Sequence, residues 1–190
     1  MEPLDELAAQ VFQILGEAGI PAEIIGGYAL SHYGYVRNTM DIDVVVRDHK
    51  EAIEVLKQNG FEEAERWWRL RRPGSGKHVD VLPSGKRMSG NQIPNPTVSQ
   101  VSSSPAFTPL KELITLKAGV PVAPATDVVT AKKNELDVQV LIKANSLPMD
   151  YLDDAPELVK LEYVMLWQEL HQTGKKASLD EQDDPFGEFW

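Results

Sequence analysis

Ile24-Ile-Gly-Gly-Tyr-Ala-Leu-Ser-His-Tyr-Gly-Tyr-Val-Arg-Asn-Thr-Met-Asp-Ile-Asp-Val-Val-Val46 is the stretch whose reading decides the fold. A short apolar run ends at Gly26-Gly27. A segment of small and aromatic residues leads to Arg37 and Thr39. Asp41 and Asp43, separated by one residue, then open a Val/Ile run. Side chains alternate faces along a strand, so Asp41 and Asp43 point the same way, ~6.6 Å apart. Two carboxylates on one face of an apolar strand are costly unless a cation sits between them. Magnesium suits that place, because it takes hard oxygen ligands, few of them from protein, and fills the rest with water and phosphate oxygens.

Two neighbouring features fit the same chemistry. His78-Val-Asp-Val-Leu82 supplies a third acid, Asp80, with the apolar flanks of a buried strand, Val79 and Val81 facing the core and Asp80 a cleft. Gly26 and Gly27 let the backbone turn tightly and approach a ligand without a side chain in the way. The free N–H groups of a helix starting there favour phosphate oxygens, and Arg37 has the fork to grip one bidentately. The order suits a nucleoside triphosphate held on divalent metal. Each piece alone has a commonplace counterpart: a solvated strand face, a turn, a surface carboxylate.

Working outward, Leu4, Leu7, Val11, Ile14 and Leu15 repeat at helical spacing behind Pro3. A strand is expected over 22–25, a helix over 27–33, a strand over 41–46 and an amphipathic helix over 49–59 stopped by Gly60. Residues 61–72 and 77–82 read as a hairpin turning at Pro73-Gly-Ser-Gly76. In such a strand Trp67 and Trp68 face opposite sides, one toward the core. A Pro/Ser/Gly/Asn-rich loop over 83–105 holds one short strand near 98–101, and helices follow over 108–118, 125–144 and about 150–172. The fold class is α+β, a mixed β-sheet flanked by helices with a C-terminal helical subdomain. The expected divisions are a core over 1–105, a helical subdomain over 106–173 and an acidic flexible tail over 174–190.

The chain of 190 residues carries a net charge of −10. That field argues against a general nucleic-acid binder. Charge is uneven, however: Arg66, Arg69, Arg71, Arg72, Lys77, Lys86 and Arg87 oppose only Asp80 between residues 66 and 87, whereas acids dominate after Asp150. With no cysteine, disulfides, thiolate metal sites and a cysteine nucleophile are excluded, and a cytoplasmic location is expected. No membrane-spanning run and no basic-then-apolar leader is visible. Gly74-Ser-Gly-Lys77 is not a phosphate loop, because Arg71 and His78 stand where that pattern needs glycine and Ser or Thr. The histidines lack metal-protease spacing, and Ser102–Ser104 lacks the context of a serine hydrolase.

Ile25-Gly26-Gly27, then Asp41-Ile-Asp43, then Asp80 resembles the signature of the polymerase-beta-type nucleotidyltransferase superfamily. The run from Arg37 through Thr39 to Asp43 looks like the abortive-infection and toxin–antitoxin branch. Leu113-Ile-Thr-Leu-Lys117 and Lys133-Asn-Glu-Leu-Asp137 match its later helices. The resemblance covers roughly residues 20–145. It implies that Asp41 and Asp43 bridge Mg2+ or Mn2+ ions, that Asp80 binds one of them or serves as base, and that an NTP is the substrate. Gly26, Gly27, Arg37, Thr39 and Lys117 are the implied nucleotide-binding residues, with Lys133 a weaker candidate. The implied reaction moves a nucleoside monophosphate to an acceptor hydroxyl on RNA, protein or a small molecule, with pyrophosphate released. A toxin or phage-defence role would bring a cognate antitoxin as partner. Two positions depart from the pattern: Asn134 replaces an acid, and Gly27 replaces the commoner serine, leaving the backbone to contact phosphate. The alternatives are a catalytically silent nucleotide- or partner-binding module of the same fold, or a plain scaffold with a surface Asp-x-Asp.

Overall fold

The computed structural model describes residues 3–88 and 91–180, with side chains through residue 172. In chain order the elements are α1 (Leu4–Glu17), β1 (Ala22–Ile25), α2 (Gly26–His32), β2 (Asp41–Val46), α3 (His49–Gln58), β3 (Glu62–Glu63), β4 (Arg69–Arg71), β5 (His78–Pro83), α4 (Leu110–Ala118), α5 (Val128–Ala144) and α6 (Glu157–Asp180). This is the α+β class, with one mixed sheet in the order β1-β2-β5-β4-β3. β2 and β5 run parallel at its centre, and the other pairs are antiparallel.

Alternation along β2 sorts the sheet into two faces. Ile42, Val44 and Val46 join Val79 and Val81 of β5 and Leu70 of β4 in the main core. The amphipathic helices α1 and α3 add Leu7, Val11, Phe12, Leu15, Ala52 and Leu56. Burying a side chain such as Phe12 or Leu56 is worth about 1.5–3 kcal/mol. Asp48 caps α3 by accepting the Glu51 N–H at 3.1 Å, and Gly60, at φ 88°, ends it in the left-handed region. The opposite face carries Ile25, Val45 and Leu82, covered by Val98 and Leu116. Asp41, Asp43 and Asp80 share that face by the same alternation.

Residues 106–108 carry the chain back along β1: Ile24 N–H donates to Ala106 O at 2.7 Å, and Thr108 N–H donates to Ile24 O at 3.0 Å. From there α4, α5 and α6 pack together, and Leu113, Ile114, Val138, Leu141, Val159 and Tyr163 extend the main core. None of the described helices is long and apolar enough to cross a membrane.

Four local expectations are corrected. The first hairpin arm is not continuous: a turn with Arg69 N–H donating to Arg66 O separates β3 from β4. Trp67 and Trp68 lie in that turn, where Trp68 packs on the core and Trp67 is 55% exposed. Residues 98–101 form no strand; Val98 N–H donates instead to Ser84 Oγ at 3.0 Å. The last helix begins at Glu157 rather than near 150, because Pro156 disfavours helix at the residue before it. α6 runs on to Asp180, past the expected end near 172, and residues 181–190 of the expected tail lie outside the described residues.

Candidate active site

The sheet register assembles the site. Ile25 pairs with Asp43, Asp43 with Asp80, and Asp80 with Arg69, one row crossing four strands. Neighbouring strands lie ~4.8 Å apart, so Asp43 and Asp80 stand side by side, with Asp41 one pair further along the same face. Like charges at that spacing repel. Burial, with Asp41 and Asp80 adding to it, pushes the Asp43 carboxyl up to about 7. The ammonium of Lys117 and the Gly27 N–H oppose that rise.

Glycine is required at 26 for two independent reasons. Its φ is 69°, a left-handed conformation, and a Cβ there would lie 2.7 Å from Asp43 Cγ. The tight approach turns the Gly27 N–H toward the Asp43 carboxylate. A Cβ on Gly27 would meet Arg37 Nη2 at 2.8 Å and Thr39 Oγ1 at 3.3 Å. Arg37 and Thr39 are thus packed against the glycine pair. Thr39 donates to Asp41 Oδ1 at 2.6 Å, fixing that carboxylate's rotamer.

Lys117 reaches the site from α4. It is nearly buried and donates to Asp137 Oδ2 at 2.8 Å, while Arg37 Nε stands 3.4 Å from Asp137 Oδ1. Burial pushes the Lys117 ammonium down, and Asp137 pulls it back up. Arg37 Nε is buried with no hydrogen-bond partner. Two cations on one carboxylate leave an excess positive charge beside the glycine pair, the sign a phosphate needs. A cleft lined by Gly27, Tyr28, Arg37, Thr39, Lys77 and Asp5 opens at this point.

The structure therefore brings together Gly26, Gly27, Arg37, Thr39, Asp41, Asp43, Asp80 and Lys117. It does not bring in Lys133, which is exposed on α5. Asn134 is buried and donates to Thr130 O at 2.8 Å, a helix-internal contact. Asp80 is not a free carboxylate: Arg69 donates from Nε to Oδ1 and from Nη2 to Oδ2, both at 2.7 Å. Asp80 in turn holds the guanidinium well above its usual range. Motif reading missed Arg69, and it quoted Asp137 without giving it a role. A hairpin turning at Gly74-Ser75 sets the backbone of Arg69 opposite Asp80, but the reach of its guanidinium to the carboxylate carries no sequence signal.

The donor set fits a hard divalent cation in part. Asp41 and Asp43 share a face, and the cost of ionising Asp43 beside two acids is what a metal would relieve. No group of three acidic or histidine side chains among the described residues stands ready as a metal cage. Both oxygens of Asp80 are taken by Arg69.

No protein-family profile matches the chain, and no curated protein does. Among solved structures it is similar to a CCA-adding enzyme in complex with CTP, at 21% identity and TM-score 0.34, over 44% of this chain and 21% of that one. It is also similar to the antibiotic-resistance factor ANT(2'')-Ia, at 13% identity and TM-score 0.49, over 90% of this chain and 99% of that one. A nucleotidyltransferase-like protein from Paracoccidioides brasiliensis is 19% identical with TM-score 0.49, over 92% and 90% of the two chains. The chain spans about a fifth of the length of the CCA-adding enzyme that it matches. Each of these three solved chains is less than 25% identical to this one, with a TM-score below 0.5.

Proposed function

We propose that this chain is a metal-dependent nucleotidyltransferase that moves a nucleoside monophosphate from an NTP to an acceptor hydroxyl. The observation that carries the reading is the in-register row of Asp43 and Asp80 with Asp41 on the same face, set against Gly26, whose left-handed backbone and contact with Asp43 require glycine. Asp41 and Asp43 would hold Mg2+ or Mn2+, and Asp80 would join them when its oxygens are released. Such a metal supplies charge neutralisation for the attacking and leaving oxygens of an in-line displacement.

The chain's own residues do the rest. The Gly26-Gly27 backbone, Arg37 and Lys117 hold the triphosphate, with Asp137 fixing both cations and Thr39 fixing Asp41. The acceptor oxygen bonds the α-phosphorus, the α–β phosphoanhydride breaks, pyrophosphate leaves and Asp80 takes the hydroxyl proton. The acceptor is RNA, protein or a small molecule. The Arg37-to-Asp43 motif and the Leu113–Lys117 match place the chain, on our reading, in the toxin or phage-defence branch, with a cognate antitoxin as partner and the cytoplasm as its location.

One observation favours the second reading, a catalytically silent module of the same fold: the bidentate Arg69–Asp80 pair keeps the third acid engaged. The deciding experiment is label transfer from each α-labelled NTP, with Mg2+ or Mn2+, into cell extract fractionated into RNA, protein and small molecules. Label that disappears with Asp43→Ala establishes transfer and names the acceptor class. NTP binding without label from any nucleotide establishes the silent module.

A further inference from the structure

Arg69 spans the acid row. While its Nε and one terminal nitrogen grip Asp80, that same Nη2 stands 3.7 Å from Asp41 Oδ2. One guanidinium therefore bridges the third acid and the first of the Asp-x-Asp pair, where a shared cation belongs if the site binds metal. A third carboxylate waits on its outer side: Glu65 Oε2 is 3.9 Å from Nη1 and exposed to solvent. The Arg69 guanidinium also lies 5.8 Å from the centre of the Trp68 ring. Arg69 is 28% exposed at the side chain, so its head can rotate toward Glu65 without leaving its strand.

We propose, resting on the nucleotidyltransferase reading above, that Arg69 is a displaceable internal cation. In the resting chain it positions Asp80 and neutralises the acid row, and it yields Asp80 to a divalent ion by turning to Glu65. Arg69 is a positioning residue here, since it acts through Asp80. The two halves of the metal site then fill unequally: Asp41 and Asp43 accept an ion by breaking only the longer 3.7 Å contact to Arg69, whereas recruitment of Asp80 must displace a bidentate, partly desolvated pair.

Mn2+ binding to the full chain without nucleotide, followed by electron paramagnetic resonance, tests this. Wild type is expected to bind one ion, with a second at least about tenfold weaker; Arg69→Gln closes that gap, and Glu65→Gln widens it, because the displaced arginine loses its second partner. In wild type, the Arg69 Nε–H resonance loses its protection from exchange as Mg2+ is added. The proposal is overturned if Arg69→Gln binds Mn2+ no better than wild type, or if that resonance is unchanged at saturating Mg2+. Should Arg69→Gln fail to fold, the wild-type resonance decides alone. If Asp43→Asn binds Mn2+ like wild type, the metal reading itself has failed. If Asp43→Asn loses the metal while Arg69→Gln changes nothing, only the role of Arg69 has failed.

Discussion

Replacing Asp43 by Asn isolates the electrostatic tension in the site. The Asp43 carboxyl is raised from 3.8 to about 7 by burial and by the charges of Asp41 and Asp80. A carboxyl raised on folding binds its proton more tightly in the native chain than in the unfolded one. The Asp43 contribution to stability is therefore most favourable in acid, falls as pH rises from about 4 through about 7, and levels off above. At 1.36 kcal/mol per pK step, the ionised carboxylate costs the metal-free chain roughly 4 kcal/mol at pH 8. Asn keeps the shape, its Oδ1 can accept the Gly27 N–H, and its amide can donate to the flanking carboxylates. Allowing for imperfect replacement, Asp43→Asn should stabilise the chain in EDTA by roughly 2–4 kcal/mol at pH 8, or about 5–15 °C in Tm. The gain should shrink toward zero by about pH 4. Thermal melts of both proteins between those pH values, with and without Mg2+, read this directly, and Mg2+ should narrow or reverse the difference. A variant less stable than wild type at pH 8, or equally stabilised at both ends of the range, would refute the reasoning.

Gly26→Ala forces a Cβ into a left-handed backbone and against Asp43, so it should cost about 2 kcal/mol or more and displace the carboxylate; melts together with Mn2+ binding check it. Lys117→Met leaves Asp137 buried with a single imperfect partner and should destabilise by roughly 3 kcal/mol, whereas Lys117→Met combined with Asp137→Asn should recover much of that loss. A double-mutant cycle in denaturant reads the coupling. Tyr163→Phe removes the hydrogen bond to Pro148 O, 2.9 Å, from a fully buried side chain and should cost about 1 kcal/mol with NTP binding unchanged.

The helices α1 and α3, the strands β1 and β2, and the shared face of Asp41 and Asp43 were legible because each depends on periodicity within one segment. Asp80 was legible as a third acid because Val79 and Val81 mark its strand as buried. What it touches was not: the grip of Arg69 depends on hairpin register and on a long side chain whose reach no periodicity encodes. Lys117 stood out in its motif, yet its pairing with Asp137, 20 residues further along, joins two helices and requires the α4–α5 packing angle. The strand expected over 98–101 failed for another reason. Its first β-branched residue, Val98, gives its N–H to a serine hydroxyl instead of a ladder.

The row from Ile25 to Arg69 has a consequence for how this chain tolerates change in length. Side chains on a strand repeat every two residues, so a one-residue slip of β5 against β2 would put Val79 or Val81 in the place of Asp80 and turn the acid into the core. The 64–68 and 73–76 turns lie outside the ladder, so they can gain or lose residues while the acids keep their places. A single insertion within 78–82 would instead erase the acid row while leaving composition and most of the fold untouched. Inheritance of the acid row in such a chain is therefore carried by counting along one strand.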